Sequence, residues 1–132
     1  MATKPPTARL QAIFLPAALK VLRRFPADVK SEIGHAIHTA QMGGKHPSAK
    51  PLTGHTEFRG ASVLEVVEDF DGNTYRAVYT VRFKGAVYVL HAFQKKSTSG
   101  IETPQVEIET IKKRLKLAED DYKERLKSKR PT

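Results

Sequence analysis

Two runs of β-prone residues, T-Y-R-A-V-Y-T-V-R-F (74–83) and A-V-Y-V-L-H-A-F-Q-K-K (86–96), constrain this 132-residue chain more than any other feature. Both are dense in Val, Tyr and Phe and hold no proline, a composition that suits strands. Lys84-Gly85 lies between them, and glycine tolerates the positive φ of a short turn. A two-residue turn there predicts a hairpin with Phe83 opposite Ala86, Arg82 opposite Val87, Thr80 opposite Val89, Val78 opposite His91 and Arg76 opposite Phe93. Side chains alternate across a strand. Arg76, Val78, Thr80 and Arg82 would then share a face with Val87, Val89, His91 and Phe93. Tyr75, Ala77, Tyr79 and Val81 would share the other, a core face, with Tyr88, Leu90, Ala92 and Gln94.

The flanking chain supplies helices. Pro16 suits a first helical position, and A-A-L-K-V-L-R-R-F after it places Ala18 or Leu19, Leu22 and Phe25 at helical spacing before Pro26 stops the run. Val29, Ile33, Ala36, Ile37 and Ala40 then recur three and four apart, one face of a second helix, with Gly43-Gly44 as its stop. Residues 45–60 read as loop, with a short strand at Glu57-Phe58-Arg59. Residues 63–70 read as a strand and Asp71-Gly72-Asn73 as a tight turn into the hairpin. After a loop at 97–100, Thr103-Pro104 starts a long amphipathic helix through Ile108, Ile111, Leu115, Ala118, Tyr122 and Leu126. Helices and strands in blocks predict an α+β fold: two N-terminal helices, a small antiparallel sheet of three to four strands and a long C-terminal helix.

Length predicts a single domain over 1–132, with a flexible lead at 1–14 and a basic tail at 127–132. The absence of cysteine excludes disulfides and thiolate metal sites and fits a cytoplasmic location. No apolar run approaches the ~20 residues of a membrane span, and the N-terminus lacks a secretory apolar core. The net charge of +9 and pI of about 9.9 predict a polyanionic partner, whether nucleic acid, acidic protein or anionic membrane. The alternative is a basic surface that only keeps the chain in solution. His35, His38, His46 and His55 are too scattered to predict a metal site, and no cofactor is expected.

Several of these segments together resemble the RelE/ParE toxin superfamily, in its HigB-like, phage-derived branch. The residues that carry the resemblance are Y-R-A-V-Y (75–79), V-Y-V-L-H-A-F-Q-K-K (87–96), Thr103-Pro104 followed by Ile108, and the loop G-G-K-H-P-S-A-K-P-L (43–52) with the region up to Glu65. It covers roughly residues 15–120. The resemblance implies a microbial-RNase-like α+β domain that is the toxin of a type II toxin–antitoxin pair, cutting mRNA on the ribosome. The implied partner is a helix-turn-helix antitoxin from an adjacent gene. In one respect the chain departs from the family. The family commonly has a Glu-x-Arg step in its first long strand, whereas here Glu65 is followed by Val66 and Val67.

Cleavage of this kind needs a base for the 2′-hydroxyl, positive charge on the phosphoryl oxygens and an acid for the leaving 5′-oxygen. Arginine and lysine can supply that charge without a metal. Arg76 and Arg82 are the phosphate candidates, because guanidinium donates in a bidentate fork; the plainer alternative pairs one of them with Glu65 or Glu68. His91 is the acid–base candidate on the hairpin, against the alternative of a half-buried, hydrogen-bonded histidine. Lys95 and Lys96 would bind phosphate or move protons, and Arg59 and Lys50 would contact RNA from the loop. Two rival readings keep the fold: a ParE-like toxin acting on gyrase, and a non-catalytic nucleic-acid-binding relative.

Overall fold

The computed structural model describes residues 9–96 and 102–128. It is α+β. Five strands, β1 (Gln11–Phe14), β2 (Ala49–Pro51), β3 (Val63–Phe70), β4 (Asn73–Thr80) and β5 (Ala86–Lys95), form one sheet in the order β1-β5-β4-β3-β2. Helices α1 (Pro16–Leu22) and α2 (Ala27–Gln41) cover one face, and α3 (Gln105–Ser128) covers the other. Among the described residues, no helix is long and apolar enough to cross a membrane.

The helices form where proline, periodicity and glycine place them. Pro16 opens α1, which buries Ala18 and Leu22. The five apolar positions read in α2 are the five that are buried. Gly43, at φ +88, takes the left-handed conformation that ends α2. β3 and β4 are joined by Asp71-Gly72 at φ +51 and +79, the pair of positive angles a primed hairpin turn requires. Ile108, Ile111, Leu115 and Ala118 of α3 are buried; Leu126 is exposed.

Several expectations are corrected. The sheet has five strands rather than three to four, and β1 pairs in parallel with β5. Residues 11–14 of the supposed lead are therefore an edge strand; residues 1–8 lie outside the described residues, as do the expected loop at 97–100 and residues 129–132 of the tail. The tail's first residues, 127 and 128, end α3. Thr56–Phe58 is a 3-10 turn, not a strand at 57–59.

The hairpin turn is also longer than two residues. Val78–His91 and Arg76–Phe93 pair as expected, but β4 stops at Thr80 and a register shift falls between Val78 and Tyr79. Tyr79 pairs with Val89, which leaves Leu90 as the extra residue of a β-bulge. Beyond the bulge the alternation changes phase. Val87 and Val89 pack under α1 and α2, while Tyr88 and Leu90 join Val78, Phe93 and α3. Burial drives the departure. Phe83 leaves the ladder to pack its ring against Tyr88 and Tyr122, at centroid distances of 5.5 and 5.1 Å. The Arg114 guanidinium donates to the Leu90 carbonyl at 3.2 Å.

Candidate functional site

On the α3 face the ladders place three rows of side chains across the sheet. Lys50, Glu65, Val78 and His91 form the first row, Val67, Arg76 and Phe93 the second, and Thr74 and Lys95 with Asp69 the third. Strands rise about 3.3–3.4 Å per residue, so successive rows lie about 7 Å apart. Arg76, His91, Lys95 and Lys50 thus occupy one face. A cleft of about 900 Å³ opens over part of it, lined by Lys50, Glu65, Val67, Asp69, Thr74 and Arg76 from the sheet, by Glu102 and Thr103 just before α3, and by Gln105 and Ile108 at its start.

At the floor of the cleft lies an ion pair. Arg76 (2% exposed) and Glu65 (5%) are nearly excluded from water, with Arg76 Nη1 donating to Glu65 Oε1 at 3.2 Å. The Thr103 hydroxyl bonds to both Glu65 oxygens, at 3.0 and 2.8 Å, instead of serving only to start α3. Burial raises the Glu65 carboxyl above its ordinary range; the Thr103 hydrogen bond and the Arg76 charge only partly oppose it. A carboxyl held ready to take a proton, beside a guanidinium, is the pairing that acid–base work on a phosphate requires. Glu65 was not among the site residues expected from sequence. Its one signal was its place before the missing arginine, whose position, Val67, lies directly across from Arg76 and lines the cleft.

His91 is engaged by α3. Its Nε2 lies 2.6 Å from Glu107 Oε1 and its Nδ1 2.8 Å from Arg114 Nη1. Guanidinium only donates, so Nδ1 accepts and the ring proton sits on Nε2, donated to Glu107. Burial lowers the His91 pKa, and the Arg114 charge lowers it further against the pull of Glu107. With both nitrogens committed and 7% exposure, the ring ties β5 to α3; proton transfer to a substrate would require releasing one of these bonds.

Arg82 and Arg59 lie elsewhere. Arg82 falls in the β4–β5 connection, not on the strand, and does not converge with Arg76. With Arg59, Lys112 and Lys116 it lines a separate groove between the 3-10 turn and α3. Lys96 is exposed at the end of β5. The fold also groups Glu32, His35 and His46, whose ligating atoms lie within 4.8 Å of one another. His46 Nδ1, however, accepts the Ser48 N–H at 3.0 Å. That puts its ring proton on Nε2, toward Glu32, so the ring as placed offers no lone pair to an ion.

The family model for phage-derived, Gp49-like proteins matches residues 20–116. This chain belongs to that family. No curated protein matches it. Among solved structures it is similar to a double arginine-to-alanine mutant of the E. coli toxin RelE in the free state: 19% identical, covering 80% of this chain and 98% of that one, at a TM-score of 0.52. The isolated E. coli RelE toxin is 20% identical over 79% and 97% of the two chains, at 0.49. The RelBE2 toxin–antitoxin complex from Mycobacterium tuberculosis is 15% identical over 69% and 97%, at 0.46. The free-state RelE structure shows that the chain has the RelE fold.

Proposed function

We propose that this protein is the toxin of a type II toxin–antitoxin pair, a cytoplasmic endoribonuclease that cuts mRNA at the ribosome and is held silent by a helix-turn-helix antitoxin. The observation that carries the reading is the diagonal Glu65–Arg76–Lys95 across three adjacent strands of a RelE fold. Each step crosses one strand and one row. A carboxyl and an ammonium therefore flank the guanidinium on opposite sides, as in-line displacement requires. Arg76 holds the scissile phosphate and takes up its developing charge. Glu65 accepts the 2′-hydroxyl proton as the 2′-oxygen attacks phosphorus. Lys95 gives a proton to the departing 5′-oxygen, leaving a 2′,3′-cyclic phosphate and a 5′-hydroxyl. Lys50, across from Glu65, adds charge for the neighbouring phosphate.

A second reading, a non-catalytic nucleic-acid-binding relative, is favoured by Val67, which leaves the cleft one cation short of the family pattern. The test is inducible expression in a bacterial host, wild type beside Glu65→Gln, with transcript ends mapped. Glutamine keeps a partner for Thr103 but cannot take the proton. Growth arrest with new 5′-hydroxyl mRNA ends, both lost in a Glu65→Gln chain that a thermal melt shows still folded at the growth temperature, is the expected result. Arrest without new ends would move the target to gyrase. No arrest would favour the binding relative.

A further inference from the structure

The groove between the 3-10 turn and α3 has its own chemistry. It encloses about 360 Å³ and is lined by Arg59, Arg82, Lys112 and Lys116 together with Glu57 and Glu119. The lysines already have carboxylates: Lys112 pairs with Glu57 at 3.5 Å and with Glu109 at 3.6 Å, and Lys116 with Glu119 at 3.3 Å. The arginines differ. Arg82 Nη2 donates to the Glu57 carbonyl at 2.7 Å and reaches the Ser62 hydroxyl at 3.4 Å, neither of them a charge. Its Nε is buried with no acceptor among the described residues. Burial and the nearby Arg59 charge both press on its guanidinium, against the pull of Glu119. Arg59 is held beside it in a left-handed conformation, φ +44, at the end of the 3-10 turn. Glu119 acts on both charges but is paired with Lys116, and among the described residues no carboxylate lies in ion-pair contact with either guanidinium, so the two together can take an anion.

The groove continues the cleft. Thr53 and His55 line the cleft and Thr56, Glu57 and Arg59 the groove; on α3, Gln105 and Ile108 line the cleft and Lys112 and Lys116 the groove. Both lie along one seam between the 52–59 segment and α3. At 1.5 Å per helical residue, Ile108 and Lys116 are about 12 Å apart along that seam. We propose that the Arg59–Arg82 groove is a second phosphate subsite, which holds the backbone of a single-stranded RNA a short run of nucleotides from the reacting phosphate. A tetrahedral phosphodiester can accept from donors on both walls at once, while a planar carboxylate fits one fork. The subsite rests on the ribonuclease reading and extends it.

The test separates binding from cleavage by using a fluorescent 12-nucleotide RNA with every 2′-hydroxyl methylated, which has no nucleophile to react. Its affinity is measured against salt for the full chain and for Arg59→Gln/Arg82→Gln. Arg59 is exposed and Arg82 half-buried; because Arg82 also anchors the 3-10 turn, a thermal melt checks folding and the exposed single variant Arg59→Gln accompanies the double one. Loss of two phosphate contacts should weaken binding on the order of tenfold and make the log–log salt slope shallower by about 1.4, and loss of the Arg59 contact alone by about half of that, at about 0.7 per contact for single strands. Unchanged affinity and slope in a folded double variant would overturn the subsite. So would a 12-residue oligoglutamate that binds more tightly than the RNA and is lost in the same variant, which would mark an acidic protein's seat. If the RNA is lost in the double variant yet the wild type cuts no RNA, the subsite stands and the ribonuclease reading falls.

Discussion

Arg76→Met should destabilise the protein strongly, and more so at pH 8 than at pH 5. The Arg76 and Glu65 side chains are 3% and 7% exposed and pair at 3.2 Å. Removing one partner of a pair this buried leaves an uncompensated charge, worth about 3–5 kcal/mol. With an unfolding entropy near 2.1 cal/mol/K per residue, that is a fall in Tm of roughly 10–18 °C for a chain of this length. Glu65 already binds its proton more tightly folded than unfolded, because burial raises it from the ordinary 4.5. The orphaned carboxyl loses the opposing Arg76 charge as well, so it takes up a proton more readily as pH falls and the loss shrinks. The same shift sets the sign for the wild type. Above pH 4.5 and up to the raised folded pKa, the native state holds the extra proton, so the Glu65 contribution to stability falls as pH rises. Glu65→Gln removes that slope, and Arg76→Met/Glu65→Gln should recover most of the loss, since no charge is left unpaired. Urea unfolding at the two pH values, followed by circular dichroism, measures all four chains. A loss under about 1 kcal/mol for Arg76→Met at pH 8, the range of an exposed pair, or a double variant no more stable than the single, would refute the argument. It also follows that Arg76 is a poor position for testing catalysis, because lost activity there is confounded with lost folding.

Val67→Arg restores a cation across from Arg76 at the cleft wall; RNA affinity at fixed salt should rise several-fold, and no rise would mean that Val67 does not face the bound strand. His91 has a depressed pKa when folded, so the unfolded chain binds more protons between that value and 6.5. Its contribution to stability is therefore present above 6.5 and is lost as pH falls through the window; His91→Gln should flatten that limb of the pH–stability curve. Arg114→Ala removes the donor to the Leu90 carbonyl and to His91 Nδ1 and should lower stability by about 1–3 kcal/mol, the range for a buried acceptor left unmet. Hydrogen exchange should quicken first at residues 89–92. Gly72→Ala, at φ +79, should destabilise by about 1 kcal/mol without changing RNA binding, since the β3–β4 turn is not among the residues lining the cleft or the groove.

What the sequence determined by itself was local. Proline at 16 and 26, the three-four spacing from Val29 to Ala40 and from Ile108 to Ala118, and Asp71-Gly72 each encode their element in a few neighbouring residues, because capping, periodicity and turn angles are short-range. So does the alternation that puts Arg76 and His91 on one face, which survives because both lie on the same side of the bulge. Tertiary structure decided the rest. β1 carries no pattern of its own in four residues and exists because β5 offers it a parallel edge. The bulge at Leu90 arises because Phe83 is worth more buried against Tyr122 than paired in a ladder, and that reverses the faces of Val87 to Leu90. Arg82 leaves the Arg76 cleft for the same reason. Glu65 reads in sequence as one acid in a strand. Only when the sheet, Arg76 and Thr103 close around it does burial raise its pKa and make it the group placed to take a proton.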